Sequence, residues 1–564
     1  MYSQLKFVLC LIVLLSAISL FGQFSGGMGT QSDPFIVATA TELDSVRFHL
    51  DSCFLQVADI DLGTEQYSSG TGWQPLASYS TFGPFTGFYN GNGYTIGNLT
   101  INNGDNENIG YLSLFGSISN AQIVNVTLDN VHIVGRSASA CLAGYAEYSE
   151  IFNCSVEGSV RGLDNCGGIV GYACYSTIQG CGTTISLFGR ENVGGIAGDA
   201  DGCSIIETTA VTAIGQARLS LGGISGFSCN GTEIIDCAAS GSLYSTDNSG
   251  GIVGFGNDTL IERCRSDFDV IWGSMRSGGI LAESWHGVTI IDCSASASVE
   301  GQNTVGGIVG IISGQSCIIR TYFCGSVMGI NNIGGLAGGI VFSSVLDCYA
   351  NATVTGESVV GGFASSAGSA LIGNCYSTGL LTCSDELIGG FIAVGGQNLS
   401  TYNCYWDIDT SQTTVSFAGN GRNTAQMTFP YDINTYVDWD FAQCWANDTG
   451  LINGGYPILE HSVAVQDENL MPSMQISLCA YPNPFKESLN LAVSGMKGGE
   501  MQLKIYNIKG QLVNKQVIHC SSEGKHTFTW DCKNEHGRTV ASGMYIIKVQ
   551  SNSETAVSRV VKLH

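Results

Sequence analysis

The sequence predicts an all-β chain: a right-handed parallel β-helix of about ten 28-residue coils, followed by a small Ig-like antiparallel β-sandwich. Three observations predict it. Glycine pairs recur at a nearly constant interval, each interval holds three short runs of apolar and β-branched residues, and the last part of the chain carries longer strands separated by turn residues. A fixed period with several short strands is typical of solenoids, in which each coil buries its apolar face against the next.

The glycine pairs set the period. Nine pairs follow one another at intervals of 27 or 28 residues, and "CLAGYA" (141–146) and "YLSLFG" (111–116) extend the series in degenerate form. A phosphate-binding glycine loop is needed once, so nine copies indicate architecture rather than nucleotide binding. The first glycines of the pairs are Gly167, Gly194, Gly222, Gly250, Gly278, Gly306, Gly334, Gly361 and Gly389.

Each period has the same internal order. An apolar triplet such as "IVG" follows the pair, then a polar turn, a β-branched run such as "TIQGC" or "VLDC", and a third run such as "SASVEG". These runs predict three short strands per coil, with small and apolar residues pointing inward. Leucine-rich repeats are the nearest rival, but their L-x-x-L-x-L-x-x-N pattern is missing.

Eight cysteines keep a fixed place in the repeat, 14 or 15 residues after the first glycine of a pair or, for Cys154, 14 residues after Ala140, where a degenerate pair begins. Because a free thiol behaves as a small hydrophobic group, this register predicts a buried ladder of stacked thiols. Disulfides fit less well, since parallel Cβ vectors in adjacent coils give poor bridging geometry. The ladder positions are Cys154, Cys181, Cys237, Cys264, Cys293, Cys348, Cys375 and Cys404.

Charge and the N-terminus bear on location and partners. The net charge is −25, with 22 Lys and Arg against 47 Asp and Glu, which argues against a nucleic-acid partner because phosphate binding needs clustered basic residues. Lys6 precedes the apolar run "FVLCLIVLLSAISLF", and Gly22 and Gln23 offer a cleavage point, as in a secretory signal. The expected parts are a signal peptide (1–23), a cap with the first strands (24–110), the repeat β-helix (111–415), a closing segment (416–462), a linker (463–477) and the sandwich (478–564).

The repeat motifs support a family resemblance. "GGIVG", "GGIAG" and "GGLAG" recur at this spacing after "FTGFYNGNGYTIGNLTI" (85–101), and "WDFAQCWANDTGLINGGYPILE" (439–460) ends the repeats. This region is similar to the GLUG repeat family of secreted bacterial surface proteins, which includes adhesins and certain IgA-specific metallopeptidases. The resemblance implies a fold rather than a reaction.

The segment after the linker has motifs of its own. "YPNPFKESLNL", "MQLKIYNIKGQLV" and "HTFTWDCKNEHGRTVASGMYIIKV" resemble the C-terminal sorting domain of the type IX secretion system of Gram-negative bacteria. The resemblance implies the type IX machinery as a partner, export across the outer membrane, and cleavage followed by release or attachment to lipopolysaccharide. An accessory Ig-like domain that stays attached is the alternative, and Cys520 and Cys532 form a candidate disulfide pair. The matching sorting residues are Pro482, Asn483, Pro484, Gly510, Gly543 and Tyr545.

The repeats show little that indicates catalysis. The zinc motif H-E-x-x-H and the nucleophile motif G-x-S-x-G are missing, and only His132 and His286 lie within the repeats. Polysaccharide-cleaving enzymes need carboxylates and a base converging on one groove, whereas these strands consist mostly of Gly, Ser, Ile and Val. "GGIAGDADG" resembles a calcium-binding nonapeptide but occurs once, so Asp199 and Asp201 are a weak calcium candidate and no cofactor is expected.

One turn cluster differs from its surroundings. The turn after the first strand carries Asn257 and Asp258 in one coil and Glu283, Trp285 and His286 in the next, so the stacking predicts that they lie near one another. We interpret the cluster as a solvated turn on which Trp285 packs, with a small carbohydrate or metal site as the alternative.

Taken with the two resemblances, these features predict a non-enzymatic, secreted or surface-attached protein, either an adhesin or a structural component of the cell surface. A stacked coil repeats its turns along one side, which suits multivalent binding of glycans or of host or matrix proteins. A polysaccharide-degrading lyase or hydrolase is the alternative. An enzyme should gather acids and a base on one face, whereas a binder should spread aromatic and polar residues over several coils.

Overall fold

The structure is a computed structural model that describes residues 24–78, 83–102, 110–385, 387–460, 477–481, 488–496, 499–507, 512–520, 524–534, 537–551 and 554–562. The chain divides into two compact units, Met1–Val463 and Ala464–His564. The predicted signal peptide and nearly all of the predicted linker lie outside the described residues. In the part of the chain that is described, no helix has the length and apolar character needed to cross a membrane.

The first unit is a parallel β-solenoid with four sheets. In most coils the chain passes through sheet I after the glycine pair, sheet II before the cysteine, sheet III after it, and sheet IV, which ends at the next pair; in the described residues the first and last coils have no sheet IV strand. The prediction of three strands per coil is therefore wrong. The fourth strand has only two to four residues, such as Ile333–Gly334 or Asp164–Gly167, which is too short to show an alternating pattern in the sequence.

Sheet I supplies one strand per coil and so shows eleven coils, against about ten predicted. Its strands are Ser117–Ser119, Ala143–Glu147, Val170–Cys174, Ala197–Asp201, Ser225–Cys229, Val253–Gly256, Leu281–Ser284, Val309–Ile312, Ala337–Val341, Ala364–Gly368 and Ile392–Gly395. Sheet IV consists of Asp164–Gly167, Glu191–Gly194, Ser220–Gly222, Asn248–Gly250, Arg276–Gly278, Thr304–Gly306, Ile333–Gly334, Val359–Gly361 and Leu387–Gly389.

Sheets II and III begin in the cap and so contain more strands. Sheet II consists of Phe35–Val37, Cys53–Gln56, Phe88–Asn90, Gln122–Val124, Glu150–Phe152, Thr177–Gln179, Ser204–Ile206, Thr232–Ile235, Thr259–Glu262, Thr289–Ile291, Cys317–Ile319, Ser344–Leu346, Leu371–Gly373 and Ser400–Tyr402. Sheet III consists of Ile60–Asp61, Thr95–Gly97, Thr100–Asn102, Thr127–Val134, Ser155–Arg161, Gly182–Phe188, Thr209–Ala217, Ala238–Ser245, Arg265–Gly273, Ser294–Gly301, Tyr322–Met328, Tyr349–Gly356, Tyr376–Thr378, Leu381–Cys383, Tyr405–Asp407 and Asn420–Arg422.

The cap also contains the helices Ala40–Ser45 and Glu65–Ser68 and the 3₁₀ turn Val46–Phe48.

The glycine pairs are architectural, as predicted, because the backbone leaves no room for a side chain. A Cβ on the first glycine of each of the nine pairs would lie 1.8 to 2.1 Å from a carbonyl oxygen three residues ahead. A Cβ on the second glycine would lie 2.0 to 2.2 Å from the carbonyl oxygen of the equivalent glycine in the next coil, for every pair from Gly168 to Gly362. The pair therefore allows both the turn from sheet IV into sheet I and the close stacking of coils.

The interior consists of side-chain ladders. The central residue of each sheet II strand is isoleucine in seven successive coils from Ile151 to Ile318, and each is fully buried. The predicted thiol ladder is confirmed, since all eight positions are at most 2% exposed. The Sγ of Cys264 lies 3.3 Å from the carbonyl oxygen of Ile234, so a hydroxyl also finds an acceptor at this position, and Thr208 and Thr321 occupy it in other coils.

The closing segment folds back onto the outer face of sheet III. Tyr322, Tyr349 and Tyr376 stack there with ring centroids 4.9 and 5.0 Å apart. The segment covers this ladder with Trp445 and other aromatic residues, and the Tyr376 hydroxyl donates to the carbonyl of Pro457 at 2.7 Å. Its elements are the helices Ile408–Ser411 and Thr424–Met427 and the antiparallel strands Trp445–Ala446 and Ile458–Leu459.

The second unit has the predicted two-sheet antiparallel architecture. Side chains from both sheets, Trp530 among them, share one buried core. One sheet consists of Ser477–Tyr481, Leu489–Met496 and Gly524–Trp530. The other consists of Leu512–Cys520, Gly499–Asn507, Gly543–Ser551 and Glu554–Lys562. The pairing of Cys520 with Cys532 stays a prediction, because the Cys520 side chain lies outside the described part.

Candidate functional site

The corner between sheets I and II has the same backbone conformation in every coil. One residue per coil adopts a left-handed conformation, with φ between 46° and 64°, and backbone hydrogen bonds join successive corners. Asn, Asp and Gly suit this conformation because the left-handed backbone costs them less energy than it costs other residues. The corner residues are Asn120, Tyr148, Tyr175, Gly202, Asn230, Asp258, Gly287, Gln315, Phe342, Ser369 and Asn398.

Three aromatic residues occupy this corner against the local preference. Tyr148, Tyr175 and Phe342 have φ of 46° to 49° and yet expose 55%, 51% and 63% of their surface. The rings of Tyr148 and Tyr175 stack on one another at 5.4 Å. Neither backbone preference nor burial in the core accounts for three bulky rings at these positions. With Trp285, which is 67% exposed beside the same corner, they form what we call the corner ridge.

The predicted turn cluster is only partly assembled. Asp258 and His286 are exposed at adjacent corners, where the Asp258 amide donates to the His286 carbonyl at 2.7 Å. Glu283 does not join them, contrary to the prediction. It lies on the outer face of sheet I, paired with Arg276 at 3.1 Å and with the Asn248 side-chain amide at 2.9 Å. Glu283 is still in the strand Leu281–Ser284, four residues before the corner residue Gly287, and both of its partners belong to sheet IV.

The prediction that Trp285 packs on the solenoid is wrong. Its only described ring contact is an edge-on one with Phe255 at 5.5 Å, and two thirds of the side chain remains exposed. Phe255 already fills the space on the sheet by stacking on Phe227. Most of the Trp285 ring is therefore open to solvent.

Sequence reasoning missed an aromatic column on the outer face of sheet I. Tyr145 and Tyr172 pair in register with ring centroids 5.5 Å apart, and Phe227 and Phe255 continue the column two coils further on. The signal is present in the sequence, because "GY" or "GF" follows the glycine pair at the same offset in these coils.

Asp199 interrupts this column between Tyr172 and Phe227. Burial, and then the negative charge of Asp201, raise the pKa of Asp199 to about 7, while a hydrogen bond from Asn192 opposes the rise. Asp201 accepts a hydrogen bond from the Asn230 amide at 2.7 Å. In the described part of the chain no three His, Cys, Asp or Glu side chains gather to hold a metal ion, so the calcium candidate remains two carboxylates on one strand.

We expect Asp199→Asn to change the pH dependence of stability. A carboxyl whose pKa is higher in the folded than in the unfolded state stabilises the fold at low pH, and that contribution is lost as the pH rises from about 4 to about 7. A rise of about three pKa units corresponds to about 4 kcal/mol, so the variant should nearly match the parent at pH 4 and be more stable by about 4 kcal/mol at pH 8. Urea unfolding at both pH values measures this, with the exposed Asp129→Asn as the control. An equal difference at both pH values would contradict the prediction.

The sorting residues lie in the second unit. Pro482, Asn483, Pro484 and Gly510 lie outside the described residues. Gly543 begins the strand Gly543–Ser551, and Tyr545 is buried there, packed on Trp530 at 5.4 Å with its hydroxyl donating to the Ala541 carbonyl at 2.6 Å.

Comparison with known families identifies this unit. Residues 479–563 match the family described as the secretion system C-terminal sorting domain. The chain thus carries a type IX sorting domain and is exported to the cell surface or the extracellular space.

Similarity elsewhere is partial. The chain is 37% identical over 139 residues to a protein of Evansella cellulosilytica described as a Gly-rich membrane protein, covering 24% of this chain and 16% of that protein. It is 30% identical over 149 residues to halomucin of Haloquadratum walsbyi, covering 26% of this chain and 2% of halomucin. Among solved structures, latent PorU of Porphyromonas gingivalis is 21% identical, covering 15% of this chain and 9% of PorU with a TM-score of 0.14.

Proposed function

We propose that this protein is a non-enzymatic GLUG-type surface adhesin whose solenoid binds glycans or host or matrix proteins through the corner ridge. After export, the sorting domain is removed, and the solenoid is released or attached to lipopolysaccharide. The observation that carries the proposal is the placement of Tyr148, Tyr175 and Phe342 on a left-handed corner, where they are strained and exposed at once. Residues held in a disfavoured conformation without a packing gain are often retained for function.

The spacing of the ridge suits multivalent binding. Tyr148 and Tyr175 lie one coil apart, Trp285 follows four coils later, and Phe342 two coils after that. With about 4.8 Å between coils, the ridge extends roughly 34 Å. Rings held at fixed intervals on a rigid rod allow several weak contacts with one polymer, and these contacts add up to a strong attachment.

The geometry around the ridge disfavours the polysaccharide-degrading alternative. Glycoside hydrolysis needs two carboxyl groups facing one bond across roughly 5 to 9.5 Å. The Glu283 carboxylate is paired with Arg276 and accepts a hydrogen bond from the Asn248 amide, so its charge is already balanced within the protein. His132 lies on sheet III, where its Nδ1 contacts the Ser159 hydroxyl, and so it does not share a site with His286.

The experiment compares the parent protein with a variant carrying Tyr148→Asn, Tyr175→Asn, Trp285→Ala and Phe342→Asn, on glycan and matrix-protein arrays. Asparagine suits the left-handed corner, so the melting temperature should not fall, and binding should be lost. The matched control is Tyr244→Ala, since Tyr244 is 40% exposed on sheet III, away from the corner. A four-residue variant that binds like the parent would overturn the proposal.

A further inference from the structure

A shallow groove of about 430 Å³ lies beside the last part of the corner ridge. Its rim is formed by the successive corner residues Gln315, Phe342 and Ser369, followed by Asn398. Its floor is formed by Ser344, Leu371 and Ser400, which stack in register on sheet II. The groove is therefore built from four successive hydrogen-bonded coils.

Two properties of the lining define what it can bind. None of the lining residues is ionisable. Within the described part of the chain, the side chains of Gln315, Ser344, Asn398 and Ser400 make no hydrogen bond, so their hydrogen-bonding capacity is available to a ligand. The lining thus combines an exposed ring, an exposed Leu371 side chain and several uncharged polar groups.

We infer that this groove is a binding subsite for a neutral oligosaccharide, an inference that rests on the proposed binding function of the ridge. A sugar ring has apolar C–H faces and a hydroxyl edge, which match the Phe342 ring and the unused serine and amide groups respectively. An acidic glycan finds no cation in the lining and meets a chain of net charge −25. A neutral ligand needs no cation in the lining and is not repelled by the negative charge of the chain.

The strained conformation of Phe342 supports the assignment. Asn398 fills the equivalent corner two coils later, and Asn120 fills it near the start of the solenoid, so the fold does not require an aromatic residue at this corner. Phe342 nevertheless exposes 63% of its surface at the groove rim.

The experiment measures binding of the full chain to immobilised neutral hexasaccharides (cellohexaose, laminarihexaose, maltohexaose and mannohexaose) and to acidic hexagalacturonate. The variants are Phe342→Asn and Ser344→Val, both compatible with their local backbone. The control is Tyr244→Ala, which removes an exposed ring on sheet III, outside both the groove and the corner ridge. Circular dichroism melts verify that each variant is folded.

We expect at least one neutral hexasaccharide to bind, with affinity lowered about tenfold by Phe342→Asn and less by Ser344→Val, and unchanged by Tyr244→Ala. Binding of hexagalacturonate alone, no binding of any saccharide, or neutral binding that is unaffected by Phe342→Asn would overturn the inference. If Phe342→Asn binds normally while the four-residue ridge variant does not, the groove assignment fails and the proposed function stands. If the four-residue variant still binds, the proposed function itself fails.

Discussion

Replacing Gly251 by alanine is expected to destabilise the solenoid by about 3 to 5 kcal/mol. The new Cβ would lie 2.0 Å from the Gly279 carbonyl oxygen in the next coil and 2.1 Å from the Ser266 hydroxyl. The carbonyl belongs to a backbone that is hydrogen-bonded to coils on both sides, so it cannot move aside without breaking the stacking. Thermal and urea unfolding monitored by circular dichroism measure the loss.

Gly97→Ala provides the control. Gly97 ends a strand of sheet III, and a Cβ there would meet no heavy atom within 4 Å, so the change should stay within about 0.5 kcal/mol. In a solenoid each coil contacts only its neighbours, so the Gly251 defect should be local. Hydrogen exchange should therefore show the largest loss of protection in the coils around Gly250 and Gly278. A Gly251→Ala protein that melts with the parent would contradict the steric explanation of the pairs.

The features that the sequence predicts best are those repeated in every coil. The glycine pairs, the isoleucines from Ile151 to Ile318 and the cysteine register each recur at one offset, so a single rule covers many residues. Stacking also explains charged pairs at the turn between sheets II and III, which were not predicted. Asp236 pairs with Arg263, and Asp292 pairs with Arg320, each through two hydrogen bonds across adjacent coils, because stacking places equivalent residues in contact.

The features that the sequence did not predict depend on backbone angles or on contacts made only once. A tyrosine at the position of Tyr148 gives no sign of its left-handed backbone until the asparagines and glycines at the same offset are aligned with it. Trp285 looked like a packing residue because its exposure depends on Phe255 having already filled the space beneath it. The folding back of the closing segment onto Tyr376 joins residues about 80 positions apart, with no repeat to indicate it.

Deleting Ala464–His564 is expected to leave a folded solenoid that does not reach the cell surface. The two units have separate cores, one built on the stacked coils and the other on residues such as Leu491, Ile547 and Trp530. No residue belongs to both cores, so the first unit should keep its complete core when the second unit is removed. The sorting domain matched at residues 479–563 is the export signal, so its loss should stop export at the outer membrane.

The measurement is made in a bacterium with type IX secretion, by antibody labelling of intact cells and by fractionation. The truncated chain should be found in the periplasm, with the melting temperature of the parent solenoid. The full-length Phe342→Asn protein is the control, because it alters the groove rim and leaves the sorting domain intact, so it should reach the surface in parental amounts. Truncated chain on the surface would show that the solenoid carries its own export signal. Periplasmic chain that is unfolded would instead show that the second unit supports the fold of the first, contrary to the separation of their cores.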